Sequence, residues 1–188
     1  MLKDGEKLAA NILQATNAPY LTKMKLMKLA FLVEYEALRK LGHRLSHIPF
    51  KTDRFGVVCY DTVNCARDSV LIQAQSTWGL RYGRQTRLSL RRGAAVPPYE
   101  SEEQQLLRSV VEEYDQKYNA DQLGAKTKQI VGYEPWNENI GTELDMEVIV
   151  MENDPEFRSR LEQLSECRPG DYEDPIPIEE FRAALENH

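Results

Sequence analysis

Cysteine is scarce in this chain. There are three in 188 residues, an odd number that does not read as a disulfide framework and that fits a reducing compartment. No run of about 18 apolar residues is present, so no membrane-spanning helix is expected. The opening residues, MLKDGEKLAA, lack the basic-then-apolar layout of a signal peptide, and the expected location is cytoplasmic. Glycine-rich phosphate loops, a GK[ST] triplet, an HExxH helix, a nucleophile elbow and a paired-carboxylate spacing are all missing. No enzyme signature is legible, and neither an internal repeat nor a low-complexity tract is visible. What is there is ordinary for a soluble globular protein: 41% hydrophobic and 29% charged residues, in a chain long enough for one domain with a proper core.

The net charge of -6 and the pI near 5.2 argue against broad, non-specific nucleic-acid binding. The charge is unevenly spread. Residues 81–92, RYGRQTRLSLRR, hold five arginines and no acid, so the remainder of the chain sums to -11. A basic strip on an acidic protein is a candidate contact site, because opposite potentials steer partners together.

Apolar residues at helical spacing predict a first helix over residues 4–17, broken near Pro19. A second, long helix follows, with Thr22 as its cap and Gly42 as its stop. Residues 46–56 are expected to be extended, and VVCYDTVNCARD is expected to form a third helix. SVLIQAQS and TRLSLRR alternate like strands, and TWGLRYGRQ between them reads as a turn or a wide hairpin tip. Ser101 and Gln104 suggest a capping box ahead of a strong helix. Residues 119–131 predict another helix, with Asn119 or Asp121 near its cap. MEVIVM reads as a short strand or a buried turn, and DPEFRSRLEQLSE as a last helix with Pro155 in its first turn. The fold class is α+β: a mostly helical single domain over residues 1–166 with a small antiparallel hairpin or sheet inserted. Residues 167–188 form an acidic tail with three prolines and room for a short docking helix.

Few residue groups suggest chemistry. His43 and His47, four apart, with Cys59 and Cys65, are the best zinc candidates, but the tight cysteine pair of structural zinc sites is absent. Cys59 and Cys65 read better as small hydrophobes packed in the core than as activated nucleophiles. A divergent metal-dependent enzyme, the alternative reading, would draw on His43, His47, Cys59 and Asp53. A DNA-binding regulator would draw on the arginine strip. Trp78, Arg81, Tyr82 and Arg84 combine residue types that dominate protein interfaces, near a hairpin tip where recognition residues are often carried. They are the candidate partner-binding residues.

The long helix raises a question. Lys25, Lys28, Glu36 and Arg39 make its wet face, yet Glu34 lies one turn from Met27, Ala30, Phe31 and Leu38. An unpaired buried carboxylate is costly, so Glu34 needs partners.

Three stretches in order, KLMKLAFLVEY, IPFKTDRFGVV and TKQIVGYEPW, resemble the Panacea domain family, the SocA-like antitoxin domains. Lys25, Leu26, Lys28 and Leu29 match the family's KLQKLLYYAQ-like helix, with Phe31 at a tyrosine position. Phe50, Arg54, Phe55, Gly56 and Val58 match its FEAWKYGPV-like stretch. Thr127, Pro135 and Trp136 match its THxxxPW-like element. The resemblance covers residues 6–140. Val57 stands where proline is usual, Asp53 where tryptophan is common, Lys128 for histidine and Glu34 for glutamine. The resemblance implies an antitoxin that binds a cognate toxin protein encoded beside it, and that blocks it or delivers it to an ATP-dependent protease. It implies no catalytic residues, no metal and no cofactor. It also suggests that Glu34 pins the helix to the Gly56 loop, to Arg54 or to the Trp136 indole.

Overall fold

The computed structural model describes residues 2–79, 83–134 and 136–166. The arrangement is built around one helix. Thr22 starts it: its hydroxyl accepts from the Lys25 N–H at 3.3 Å. Gly42 stops it in the left-handed region at φ 79°, with its N–H on the Leu38 carbonyl. Between them runs α2, Lys23–Leu41, in which every residue from Leu26 to Tyr35 is buried. A helix that is covered on all sides is a core axis rather than a surface helix. Helices α1 (Asp4–Ala15), α4 (Ser101–Lys117), α5 (Ala120–Val131) and α6 (Met146–Asn153) pack around it, and α7 (Pro155–Glu166) leans on α6. Among the described residues no helix is long and apolar enough to cross a membrane.

Two small sheets complete the α+β domain. A two-residue strand β1 (Leu21–Thr22), β4 (Ile72–Gly79) and β5 (Gly83–Leu90) form an antiparallel sheet in the order β1-β5-β4. Strands β2 (Lys51–Asp53) and β3 (Gly56–Val58) form a hairpin turned by Arg54 and Phe55. The expected single domain with an inserted antiparallel sheet is what is seen. The tail 167–188 lies outside the described residues.

Several local expectations shift. Val57 and Val58 belong to β3, and the third helix shrinks to α3, Asp61–Asn64, running into a 3-10 turn at Cys65–Arg67. Pairing with β2 claims the two valines first. MEVIVM is a helix, because Asp145 caps it by accepting from the N–H groups of Glu147 (3.0 Å) and Val148 (3.2 Å). Met146, Ile149 and Val150 then face the core at helical spacing. The capping box of α4 sits one residue earlier than Ser101 and Gln104 suggest: Glu100 and Glu103 form it, and Gln104 instead accepts from the Tyr99 N–H at 3.0 Å. Asn119 is the cap of α5. Lys28, expected on a wet face, is fully buried.

Glu34 is also fully buried. Its partners are not the Gly56 loop, Arg54 or Trp136. Leu45 N–H donates to Oε2 at 2.9 Å, the Ser46 hydroxyl donates to Oε1, and Arg44 Nε lies 3.5 Å from Oε2. The left-handed turn at Gly42 sends the chain back along α2, which brings residues 44–46 beside a carboxylate two to three turns earlier. Burial holds this carboxyl above its ordinary range; the Ser46, Arg44 and Leu45 contacts oppose that shift without cancelling it.

Glu34→Ala leaves an N–H and a hydroxyl without their acceptor, and should cost roughly 2–3 kcal/mol in urea denaturation. Glu34→Gln should stay within ~1 kcal/mol, since its amide oxygen can serve Leu45 while the Ser46 hydroxyl accepts from its NH2. The folded state holds the Glu34 proton longer than the unfolded chain. Its contribution is therefore fully present below pH 4.5 and is lost as the pH rises through the folded pKa. Glu34→Gln should flatten that slope in a pH series of melts, and an unchanged slope would contradict the assignment.

Candidate functional site

The β2–β3 hairpin is held against the helices at one residue. Val57 has its carbonyl on the Lys28 ammonium from α2. Its N–H donates to Thr127 Oγ1 from α5 at 3.2 Å, and the same hydroxyl donates to the Gly124 carbonyl at 2.9 Å. Trp136 Nε1 donates to the Asp53 carbonyl at 2.8 Å on the other strand. Lys128 lies 5.2 Å above the Trp136 ring. Residues 139–144 run alongside β2: Thr52 N–H donates to the Thr142 carbonyl, Gly141 N–H to Thr52, and Leu144 N–H to Phe50, each at 2.9 Å.

Two glycines allow this closeness. Gly56 sits at φ 96°, where a side chain is strained, and a Cβ there would meet the Gly124 carbonyl oxygen at 2.6 Å. A Cβ at Gly124 would meet the Phe55 carbonyl oxygen at 2.6 Å. The role expected of Glu34, pinning the long helix to RFGVV and the Trp136 element, is carried by Lys28 and Thr127, with Trp136 itself holding Asp53. A glycine inside the helical run QLGAKT was the one sequence signal of a close backbone approach. Burial lowers the Lys28 ammonium from 10.5 to about 8, and Lys128 pushes the same way against the attraction of Asp53.

The clamp fixes what the hairpin shows to solvent. Phe55 at its tip is 59% exposed, with the Arg54 guanidinium 5.7 Å from its ring. Tyr60, exposed beside it, has its hydroxyl 3.5 Å from Asp53 Oδ2 and carries Lys23 5.0 Å above its ring. Farther along, Arg87 stacks 4.1 Å over Tyr20. Phe55, Tyr60 and Tyr20 thus each carry a cation near the ring.

The second feature is the β4–β5 arm. Its base is anchored in the core by Ile72 and Leu88, with Leu90 packed partly against it. Trp78 near its tip is 84% exposed and pairs in register with Arg84. Arg84 Nε donates across the ladder to Ser76 Oγ at 2.7 Å. Arg81, Tyr82 and Pro135 lie outside the described residues, so Trp78 and Arg84 are the two expected partner-binding residues that the structure places, and both are exposed.

The residues of the metal and thiol readings do not form one cluster: His47 and Cys65 line a common pocket with Asp4, Glu6 and Asp61, and His43, Cys59 and Asp53 are not part of its lining. His43 Nε2 pairs with Glu103 Oε1 at 2.9 Å, a contact that raises the imidazole pKa. His47 is exposed, with its backbone N–H on Asp4 Oδ2. Cys59 is buried, and burial pushes its thiol up to about 11; Cys65 is pushed up to about 12 for the same reason. Among the described residues no group of three His, Cys, Asp or Glu could hold a metal ion.

Alanine normally stabilises a helix interior over glycine by up to ~1 kcal/mol. Gly124→Ala should reverse that sign and destabilise by about 2 kcal/mol or more in chemical denaturation, since the collision is with backbone. A stabilised variant would show that the approach is looser than described. Lys28 should also leave a pH signature. The unfolded chain binds its proton up to 10.5 and the folded chain only to about 8, so stability should rise with pH across that window. Relative to Lys28→Met, the wild type should gain up to ~3 kcal/mol there, and parallel curves for the two proteins would refute the buried ammonium. Comparison with protein-family models, with curated proteins and with solved structures finds no match to this chain.

Proposed function

We propose that this chain is an antitoxin-type protein that binds a cognate toxin protein, encoded by the adjacent gene, and neutralises it by contact. Direct block and delivery to an ATP-dependent protease are both within that reading. One observation carries it. The three separated stretches that resemble the Panacea domains meet at a single node: Lys28 of the first, Phe55 to Val58 of the second, and Thr127 and Trp136 of the third. Three weak motifs that share one physical purpose support a common origin better than any of them alone. The purpose is a rigid platform rather than a reaction centre, since the contacts fix backbone and leave aromatic and arginine side chains outward.

Lys25, Leu26 and Leu29 belong to the same platform. Leu26 and Leu29 are fully buried, and Lys25 pairs with Asp115 at 2.7 Å, tying α2 to α4. The partner contact we propose is at Trp78 and Arg84, with Arg81 and Tyr82 between them in sequence; an exposed aromatic and a guanidinium are residue types that dominate binding energy.

Co-expression with the product of the neighbouring open reading frame tests this directly. The neighbour alone should arrest growth, and this chain should restore it and co-purify with it. A double change, Trp78→Ala with Arg84→Ala, should weaken the complex at least tenfold while leaving the circular dichroism spectrum intact. Repeating the rescue in a protease-deficient strain separates block from delivery. A harmless neighbour from which nothing co-purifies would overturn the proposal.

A further inference from the structure

The β4–β5 arm has an open edge whose direction can be worked out. In the ladder Ile72 lies opposite Leu90, so Leu71 and Arg91 are opposite one another one step further out. Arg91 N–H donates to the Leu71 carbonyl at 2.7 Å. A bond between directly opposed residues marks a hydrogen-bonded pair of an antiparallel ladder. Odd-numbered residues of β4 therefore turn their N–H and C=O to β5, and Ile72, Ala74, Ser76 and Trp78 turn theirs away. Ile72 agrees with this: its outward N–H is taken by the Ser69 hydroxyl at 2.8 Å. No strand follows β4 in the sheet order, and the outward groups of Ala74 and Ser76 have no hydrogen-bond partner among the described residues.

Edge strands are usually protected by charge, proline, a bulge or a covering element. β4, IQAQSTWG, has no charged residue and no proline, its register with β5 is continuous, and Ala74, Gln75, Ser76 and Trp78 are exposed. Acids gather only at its base, where Glu6 accepts from the Ser69 hydroxyl at 2.6 Å; the strip beyond is one-signed in sequence. From Ser69 to Tyr99 the chain has five arginines and no acid. Arg84, Arg87, Arg91 and Arg92 make no ion pair with a described carboxylate. Arg84 leans over β4 to reach Ser76, which carries its guanidinium toward the open edge.

We propose that the free edge of β4 is a strand-addition site that takes an extended, acidic segment of a partner protein. Main-chain bonds to Ala74, Ser76 and Trp78 supply affinity, and Arg84 with its neighbours selects carboxylate-bearing side chains. A second copy of this chain fits less well, because it would bring another acid-free arginine strip into the same sheet. The inference rests on the reading of this chain as a binding protein, and it names the chemistry of the segment bound.

The probe is an end-capped ten-residue peptide of alternating valine and glutamate, titrated into the full chain by calorimetry, with its valine–lysine twin alongside. The glutamate peptide should bind one to one and the lysine peptide at least tenfold more weakly. Ala74→Pro removes one outward N–H without touching the β5 side, and should weaken the glutamate peptide at least tenfold; Ala74→Val should not. Amide exchange at Ala74 and Ser76 should slow on binding. No binding of the glutamate peptide, or equal binding by Ala74→Pro, overturns the proposal. So does a wild-type dimer that Ala74→Pro splits, which assigns the edge to a second copy. So too does tighter uptake of a single-stranded oligonucleotide that ignores Ala74→Pro, which assigns the arginines to nucleic acid. Growth rescue that survives Ala74→Pro without peptide binding removes strand addition and keeps the antitoxin reading. Peptide binding without growth rescue does the reverse.

Discussion

The backbone of Val57 is the joint on which the presented surface depends. Its carbonyl is held by the Lys28 ammonium and its N–H by the Thr127 hydroxyl, from two different helices. A three-residue strand cannot hold itself in place by pairing alone, because a short two-stranded hairpin is marginal in water. Fixing both polar groups of one residue in the interior removes that freedom. Phe55 and Arg54, two and three residues before it at the hairpin turn, then project from a rigid base.

Lys28 and Glu34 share the buried length of α2 and do parallel work on different sides of it. Lys28 holds the hairpin; Glu34 holds residues 44–46 as the chain returns from Gly42. Burying either charge costs several kcal/mol before its partners offset the loss. The return is register. An apolar helix covered on all sides could rotate or slide among similar packings, whereas a helix with two internal charged groups has one position in which both are satisfied. The titration shifts of both groups, down for the amine and up for the acid, carry the mark of that desolvation.

The arm is the opposite kind of element. Its base is anchored by Ile72 and Leu88, while its outer half exposes Trp78, Arg84 and an unpaired strand edge. The same molecule thus carries a clamped platform and an open ribbon, one fixed by buried polar contacts and the other anchored only at its base. Where the acid–base candidates do meet partners, as His43 meets Glu103, they meet them singly and on the surface.

Short-range features were legible in the residues alone. Thr22 as a cap, the cap of α5 narrowed to Asn119 or Asp121, Gly42 as a helix stop, the alternation of β4 and β5, and the mostly helical α+β class each depend on contacts within a turn or a hairpin. Tertiary structure alone decided the rest. A helical wheel separates wet from dry only when one face meets water; α2 is covered all round, so Lys28 reads as exposed until the hairpin, 29 residues on, is laid against it. Glu34 could be judged in need of partners, but the turn at Gly42 chose which. Val57 and Val58 went to a strand because β2 was there to pair with them, and MEVIVM went to a helix because Asp145 capped it against a core that only the assembled fold supplies.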